Sequence, residues 1–351
     1  MSSMKIENNF GIMLVTRNNP QMVKEWYSLY NYKGYEIVNI DESTDEKSAE
    51  LIKKNCLSCG IKYLSVDKGK SGLSNNIIQA DKYFKTKRID WILYMHHDAY
   101  PLGESALDKL SKYIQKPDLL NFGVVGFNVL HGETDLSYWN EDQTPLRTCA
   151  RCPLELGDGW YRETVSSRIN YNNSIKKAFA VESVMWSTAL INTSVFKKHI
   201  EIDDRFVFFH AWDDIAFQFL YKNIYNIVIP DIHFGHDQRL KLKYELPRSS
   251  PQADKKTVKN LYGRMDHLDV WKDKWGFKYD INKSKRFGIN LSSTTTWFMR
   301  IVRYFFKNSI SSLPTVARDD YFLIKNKYKN TLIDQFYHHD PKKGPLRYFD
   351  I

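Results

Sequence analysis

Alternating strand and helix patterns, apolar strand runs that stop abruptly in turns, and a charge balance that changes near residue 240 together predict the fold class. It is α/β: a mostly parallel central sheet flanked by helices, followed by a basic, mainly helical C-terminal extension. Short apolar runs bounded by turns suit strands buried on both faces. The intervening helices supply the right-handed crossovers that parallel strands need.

The first strand is Phe10–Thr16, closed by the turn Arg17-Asn-Asn-Pro20, and a helix follows from Gln21 to about Tyr30. Tyr35–Ile40 is the second strand, running into Asp41-Glu-Ser-Thr-Asp45, with a helix from Glu46 to about Asn55. Ile61–Val66 is a third strand and Gly72–Phe84 a third helix. The fourth strand ends in chemistry: Trp91-Ile-Leu-Tyr-Met-His96-His97-Asp98-Ala-Tyr100-Pro101. Beyond it lie a helix over Glu104–Gln115 and an apolar strand over Phe122–Phe127. Residues 130–178 show no clear periodicity, and a segment of that length inside a compact domain is usually functional or disordered. Val181–Asn192 reads as a strand pair and Phe206–Phe209 as a short strand. Trp212–Tyr221 is helical, with Ile215 and Phe219 at i,i+4 spacing, and Ile227–Pro230 is a last strand before Asp231-Ile-His233-Phe-Gly-His236.

With 42% hydrophobic and 15% aromatic residues, the 351-residue chain can bury a sizeable core, which excludes a disordered protein. Residues 241–351 carry 23 Lys and Arg against 11 Asp and Glu, while residues 1–240 carry 28 against 30. The last third is therefore a basic module suited to an anionic partner, either a membrane surface or nucleic acid. The polar start MSSMKIENN has no charged region leading into an apolar one, and no uncharged run is long enough to span a bilayer. A cytoplasmic location is expected, with peripheral attachment to the inner face of the membrane through the basic region. Cys56, Cys59, Cys149 and Cys152 form two C-x-x-C pairs. Their separation far exceeds the roughly 15–20 residues of a zinc ribbon, which favours free thiols.

Ligands in open α/β sheets bind past the carboxyl ends of the strands. His96 and Asp98, two apart on an extended backbone, face one side and can share a divalent ion, while His97 faces the other way. An imidazole ligand favours Mn²⁺ or a softer metal over Mg²⁺. Asp41 follows a strand where a carboxylate can bind a base or ribose, although an Asx turn explains it too; Asp45 reads as a helix cap. Asp213 and Asp214 open a helix, where the macrodipole alone favours carboxylates. A lone His236 would more often be a solvated loop residue.

In combination these residues resemble the GT-A (Rossmann-like) glycosyltransferases, particularly the large inverting family-2-type enzymes that include rhamnosyl and galactosyl transferases. The likeness is an order of motifs over about residues 9–240. Phe10–Asn18 is similar to the family's first strand, which implies Thr16 near the nucleobase. Val38–Asp45 resembles its strand and D-x-S-x-D, which implies Asp41 on the uridine of a UDP-sugar. Gly69–Asn76 resembles its Gly- and Asn-containing helix start, implying Asn76 as a donor-site residue. Ile92–Asp98 is similar to the strand ending in D-x-D, implying Asp98 as a donor-site residue and metal ligand. Asp213-Asp214 resembles its Glu-Asp pair, implying Asp214 as catalytic base with Asp213 beside it. Pro230–His236 resembles its Pro-x₅-His, implying His236 on the metal, Mn²⁺ or Mg²⁺, with help from His96. His96 stands where the family has an Asp, and Ala216 where it has an acidic residue two past the base.

The resemblance implies sugar transfer with inversion from a nucleotide-diphosphate sugar to a hydroxyl of a glycan or lipid-linked acceptor, in assembly of cell-surface polysaccharide or lipopolysaccharide. Residues 1–240 would be the catalytic domain, with a nucleotide-sugar half to about 128 and an acceptor half from about 129, and 241–351 the basic helical region. Trp139, Trp160 and Trp186 are sugar-stacking candidates that core packing explains equally well. On a helix Arg300, Arg303 and Lys307 would fall opposite Trp297, Phe298, Ile301, Val302 and Phe305, suiting either an anionic membrane surface or docking on the catalytic domain. Three rivals remain: a transferase acting on nucleic acid or protein, a non-enzymatic nucleic-acid binder, and a nucleotidyltransferase. The last is disfavoured because Arg17-Asn-Asn-Pro20 replaces a Gly-rich basic loop after the first strand.

Overall fold

The computed structural model describes residues 9–66, 72–132, 150–151, 177–184, 187–206, 210–237, 267–276, 326–339 and 345–351. Its N-terminal half alternates as expected. β1 (Phe10–Thr16), β2 (Glu36–Asp41), β3 (Lys62–Ser65) and β4 (Trp91–His96) are separated by α1 (Pro20–Ser28), α2 (Glu46–Ser58) and α3 (Leu73–Lys85). Asp45 caps α2 by accepting from the Ser48 N–H at 2.8 Å, as its place before the helix predicts. After β4 come β5 (Ala99–Pro101), α4 (Ala106–Ile114), β6 (Val124–Gly132), β7 (Ala150–Arg151), β8 (Ala178–Val181), β9 (Ser183–Val184) and β10 (Thr188–Asn192). Then follow α5 (Thr193–His199), α6 (Ala211–Tyr221), β11 (Asn226–Asp237), α7 (His267–Trp275), α8 (Leu332–His338) and β12 (Tyr348–Phe349).

Ten strands form one sheet in the order β12-β8-β11-β6-β10-β4-β1-β2-β3, with β5 pairing β11 off this path. β3, β2, β1 and β4 run parallel. β10 is inserted antiparallel between β4 and β6, with five register pairs to β4 and two to β6. β6 and β11 are parallel to each other, while β8 and β12 close the far edge antiparallel.

Alternate residues of β1 feed two cores. Ile12 and Leu14 join Trp26, Ile52, Leu107 and Leu110 on the face covered by α1, α2 and α4. Met13 and Val15 join Ile77, Phe84, Ile215 and Phe219 on the face covered by α3 and α6. A strand buried on both faces has no polar side, which is why it reads as an unbroken apolar run. Trp271, Trp275, Leu332 and Ile333 belong to the second core, so α7 and α8 join the layer that α6 forms on that face.

Three stretches differ from expectation. Val181–Asn192 contains two strands, β9 and β10, but they do not pair with each other: β9 pairs with β7, and β10 with β4 and β6. The strand at Ile227–Pro230 continues to Asp237 through a register shift between Ile229 and His233, which accommodates a proline that cannot donate to the ladder. α5 was not foreseen, although Asn192 supplies its cap by accepting from the Ser194 and Val195 N–H groups. Of the proposed strand at Phe206–Phe209, residues 207–209 lie outside the described residues.

Gly11 shows how closely sheet and helix meet. A Cβ there would fall 2.2 Å from the ring of Phe84, which is fully buried in α3. Gly11→Ala is therefore expected to lower stability by roughly 1–3 kcal/mol through overpacking. Adding Phe84→Leu should recover part of the loss, with chemical denaturation of the single and double variants as the measurement.

Candidate functional site

The parallel register brings the predicted residues to one edge of the sheet. Thr16 pairs with Asp41, and Val15 with His96, so β1, β2 and β4 end together. β5 then folds back antiparallel on β11 with Ala99 opposite His236. The Trp26 indole holds this return by donating to the Ala99 carbonyl at 2.6 Å. Residues 138 positions apart in sequence, Asp98 and His236, thereby become neighbours.

Asp98 Oδ1 lies 2.6 Å from His96 Nδ1 and 3.1 Å from His236 Nε2, with all three side chains buried. Burial opposes ionisation of the Asp98 carboxyl. The two flanking imidazoles outweigh it and hold that carboxyl well below the usual carboxylate range. His97 does not point away. Residues 97–98 form a turn, so strand alternation stops at His96, and the His97 ring stacks on His96 at 4.5 Å. One ligand atom from each of His96, His97 and Asp98 lies within 4.8 Å of the others. A mixed imidazole and carboxylate set of this kind fits a first-row divalent ion such as Mn²⁺.

On the neighbouring strand ends, Thr16 is buried and exchanges hydrogen bonds with the Asn39 amide at 3.0 and 3.1 Å. Asp41 Oδ1 accepts from the Ser43 N–H and hydroxyl at 3.1 and 2.6 Å, an Asx turn, while Oδ2 accepts from the Tyr63 hydroxyl at 2.9 Å. Burial and then the Asp41 charge push the Tyr63 phenol upward. Asn76 donates to Glu42 Oε1 at 2.8 Å, and the same oxygen accepts from the Gly72 N–H at 3.1 Å. The Asn76 Oδ1 is buried without a hydrogen-bond partner among the described residues.

The acidic pair at the start of α6 divides. Asp213 turns inward, with Oδ1 accepting from the Ser183 hydroxyl at 2.7 Å and Oδ2 3.1 Å from His210 Nδ1. His210 precedes the helix in a left-handed conformation, φ 59°, which is uncommon for a residue with a side chain. Asp214 turns to the other side. Its Oδ2 accepts from Lys274 Nζ at 2.8 Å and Gln218 Nε2 at 2.9 Å, and its Oδ1 from the Trp275 indole at 2.9 Å. Burial raises the Asp214 carboxyl above its ordinary value, with Lys274 the main opposing influence.

Glu42, Lys274, Trp275 and His210 escaped the sequence reading. Glu42 sits beside Asp41 and could have been suspected from that position, whereas Lys274 and Trp275 are brought to Asp214 only by tertiary docking. Cys56 is buried, and burial pushes its thiol up to about 12, which disfavours thiolate chemistry there. Trp139, Trp160, Trp186, Cys149, Cys152 and the basic helix proposed around Arg300–Lys307 lie outside the described residues. No helix among the described residues is long and apolar enough to cross a membrane.

A family model described as glycosyl transferase family 2 matches residues 12–199, just over half of the chain. That span contains Thr16, Asp41, Asn76, His96 and Asp98, and ends before Asp213, Asp214 and His236. Among solved structures the chain is similar to the crystal structure of GalNAc-T7 with UDP, GalNAc and Mn²⁺, at 14% identity and a TM-score of 0.48. The alignment covers 87% of this chain and 58% of that one, so this chain spans little more than half its length. It is also similar to the inositol-1-phosphate CTP transferase from T. maritima, at 10% identity and a TM-score of 0.39, covering 73% of this chain and 96% of that one. No curated protein matches.

The bond between Tyr63 and Asp41 can be tested apart from any activity. Tyr63→Phe removes one donor to a buried carboxylate and is expected to cost about 1–3 kcal/mol in denaturant unfolding. The same substitution in an Asp41→Asn background should cost less.

Proposed function

The chain belongs to glycosyl transferase family 2, and on that premise we propose that it moves a sugar from a nucleotide-diphosphate sugar, a UDP-sugar foremost, to an acceptor hydroxyl. The observation that supports this is the meeting of Thr16, Asp41, His96, Asp98 and His236 at one edge of the sheet. Residues 1–240 carry the catalytic site, with donor binding in residues 1–128 and acceptor binding in 129–240. The acceptor belongs to the glycan or lipid-linked class, in cell-surface glycan assembly, and the basic region 241–351 faces an anionic membrane surface.

Asp98, His96 and His236 would hold the divalent ion, Mn²⁺ in preference to Mg²⁺. When bound, such an ion neutralises charge on a departing diphosphate. Thr16 and Asp41 border the nucleoside, with Asp41 fixed by Ser43 and Tyr63 so that its carboxylate needs no reordering. Asn76, oriented by Glu42, keeps a buried carbonyl oxygen without a hydrogen-bond partner among the described residues, an acceptor for the donor.

Asp214 takes the proton from the attacking hydroxyl, and a base without a covalent intermediate gives inversion. A carboxylate offers about four acceptor directions. Among the described residues three are filled, by Lys274, Gln218 and Trp275, which leaves one on Oδ1. Asp213, tied to Ser183 and His210, fixes the first turn of α6 beside it. A non-enzymatic nucleic-acid binder has no need of a buried carboxylate between two imidazoles, which disfavours that alternative.

A panel of nucleotide sugars with Mn²⁺, scored for nucleotide release, should identify at least one donor; no release with any member counts against the whole reading. Asp98→Ala should abolish metal-dependent release and weaken Mn²⁺ binding in calorimetry, with the circular dichroism spectrum retained. Asp214→Asn should keep nucleotide binding and lose transfer by about 10²–10⁴-fold. Unchanged turnover in that variant removes it as the base.

A further inference from the structure

We propose that Lys274 and Trp275, on helix α7 of the C-terminal region, are positioning residues for transfer that hold the Asp214 carboxylate in a single orientation. This rests on the reading of Asp214 as the base. The two side chains approach different oxygens of one carboxylate, Lys274 Nζ on Oδ2 at 2.8 Å and the Trp275 indole on Oδ1 at 2.9 Å. With Gln218 they fix the plane of the group and, among the described residues, leave one acceptor direction for a substrate hydroxyl.

The helix that carries them is firmly placed. Trp271 and Trp275 are buried, and their rings meet Phe217 at centroid distances of 5.0 and 5.4 Å. The Tyr328 hydroxyl donates to the Trp275 carbonyl, and α8 adds Leu332 and Ile333 to the same core. Lys274 is further ordered by Asp203 at 3.8 Å, which itself pairs with Arg205, and Arg205 reaches Asp273 at 2.5 Å.

Stability alone does not account for this arrangement. An ion pair that is largely withdrawn from water, as Lys274 and Asp214 are, contributes little net stability compared with apolar residues of similar size. Asp214 is also the acid whose ionisation burial opposes, and Lys274 is the main influence restoring it. The groups around it are Lys274 and Trp275 from α7 and Gln218 from α6. Asp203, Arg205 and Asp273 lie beyond Lys274, and Asp213 with His210 lies on the far side of the helix start. Only Lys274 among these places a positive charge against the Asp214 carboxylate.

Removing the lysine charge leaves burial less opposed, so the carboxyl titrates at higher pH and the base is lost earlier on acidification. The test uses the full chain with Mn²⁺ and an equimolar mixture of UDP-glucose, UDP-galactose and UDP-N-acetylglucosamine, with water as the nucleophile that takes the sugar, measuring UDP release from pH 4.5 to 8.5. Lys274→Met should move the acid limb of the rate profile upward by about 1–3 pH units, with recovery at high pH. Lys274→Arg should return the limb toward its original position. Trp275→Phe, which keeps the ring packing, should lower kcat at least several-fold with KM for the donor unchanged.

A purely structural role predicts a uniform loss at every pH and no rescue by arginine, and that result overturns the proposal. So does an unmoved limb in a folded Lys274→Met, or full kcat in Trp275→Phe. If Lys274→Met fails to fold, the arginine and phenylalanine variants decide: full kcat in Trp275→Phe, or a limb in Lys274→Arg identical to that of a folded Lys274→Gln, overturns it. The two levels separate cleanly. Asp214→Asn with full release sinks the base assignment itself. Asp214→Asn inactive alongside a Lys274 variant with an unmoved limb sinks only the positioning role, and no release from any donor sinks both.

Discussion

Asp98 lies between two imidazoles, and most of the site depends on how it comes to be there. The carboxylate is buried, so it stands only because His96 and His236 offset the cost of removing it from water. His96 comes with it on the same strand end. His236 comes from a distant part of the chain and is delivered by three residues, Ala99–Pro101, that pair with β11. The Trp26 bond to Ala99 anchors that short return to the first helix. The buried carboxylate, its two imidazoles and the meeting of the two halves of the sheet therefore share one local contact.

The α6 acids illustrate a different solution to burying charge. Asp213 is satisfied from within the domain by Ser183 and His210, while Asp214 draws on a helix from beyond residue 240. Two adjacent carboxylates at a helix start are thus separated into different surroundings, one enclosed by neutral or ring donors and one beside an ammonium. Environments that push adjacent acids apart are how one fold assigns them separate tasks. The C-terminal region, basic as a whole, contributes here through specific side chains and not through its net charge.

The elements that could be read from the chain are those whose signal is local. β1 and β4 lie where their apolar runs place them, because strands buried on both faces leave a continuous hydrophobic trace. The Asp45 cap was legible for the same reason, its partner being three residues away. β5, with three residues, is below the length at which any period can register, yet it decides where His236 sits. Strand alternation predicts that His97 faces away from His96, but the strand ends at His96 and His97 lies in a turn. Lys274 gave no signal, since nothing within its own segment indicates that Asp214 is its partner; that pairing exists only once Trp271 and Trp275 are buried.

The antiparallel β10 has a mechanical consequence. It shares five register pairs with β4 but only two with β6, whereas β6 and β11 share eight across their shift. Among the described strands this makes the β10–β6 border the seam with the fewest main-chain bonds near the middle of the sheet. Thr16, Asp41 and Asp98 lie on one side of it, and His236 with the α6 acids on the other. The Asp98–His236 contact and the β5–β11 pairing span that seam, so they staple the two halves of the sheet where its central ladder is shortest.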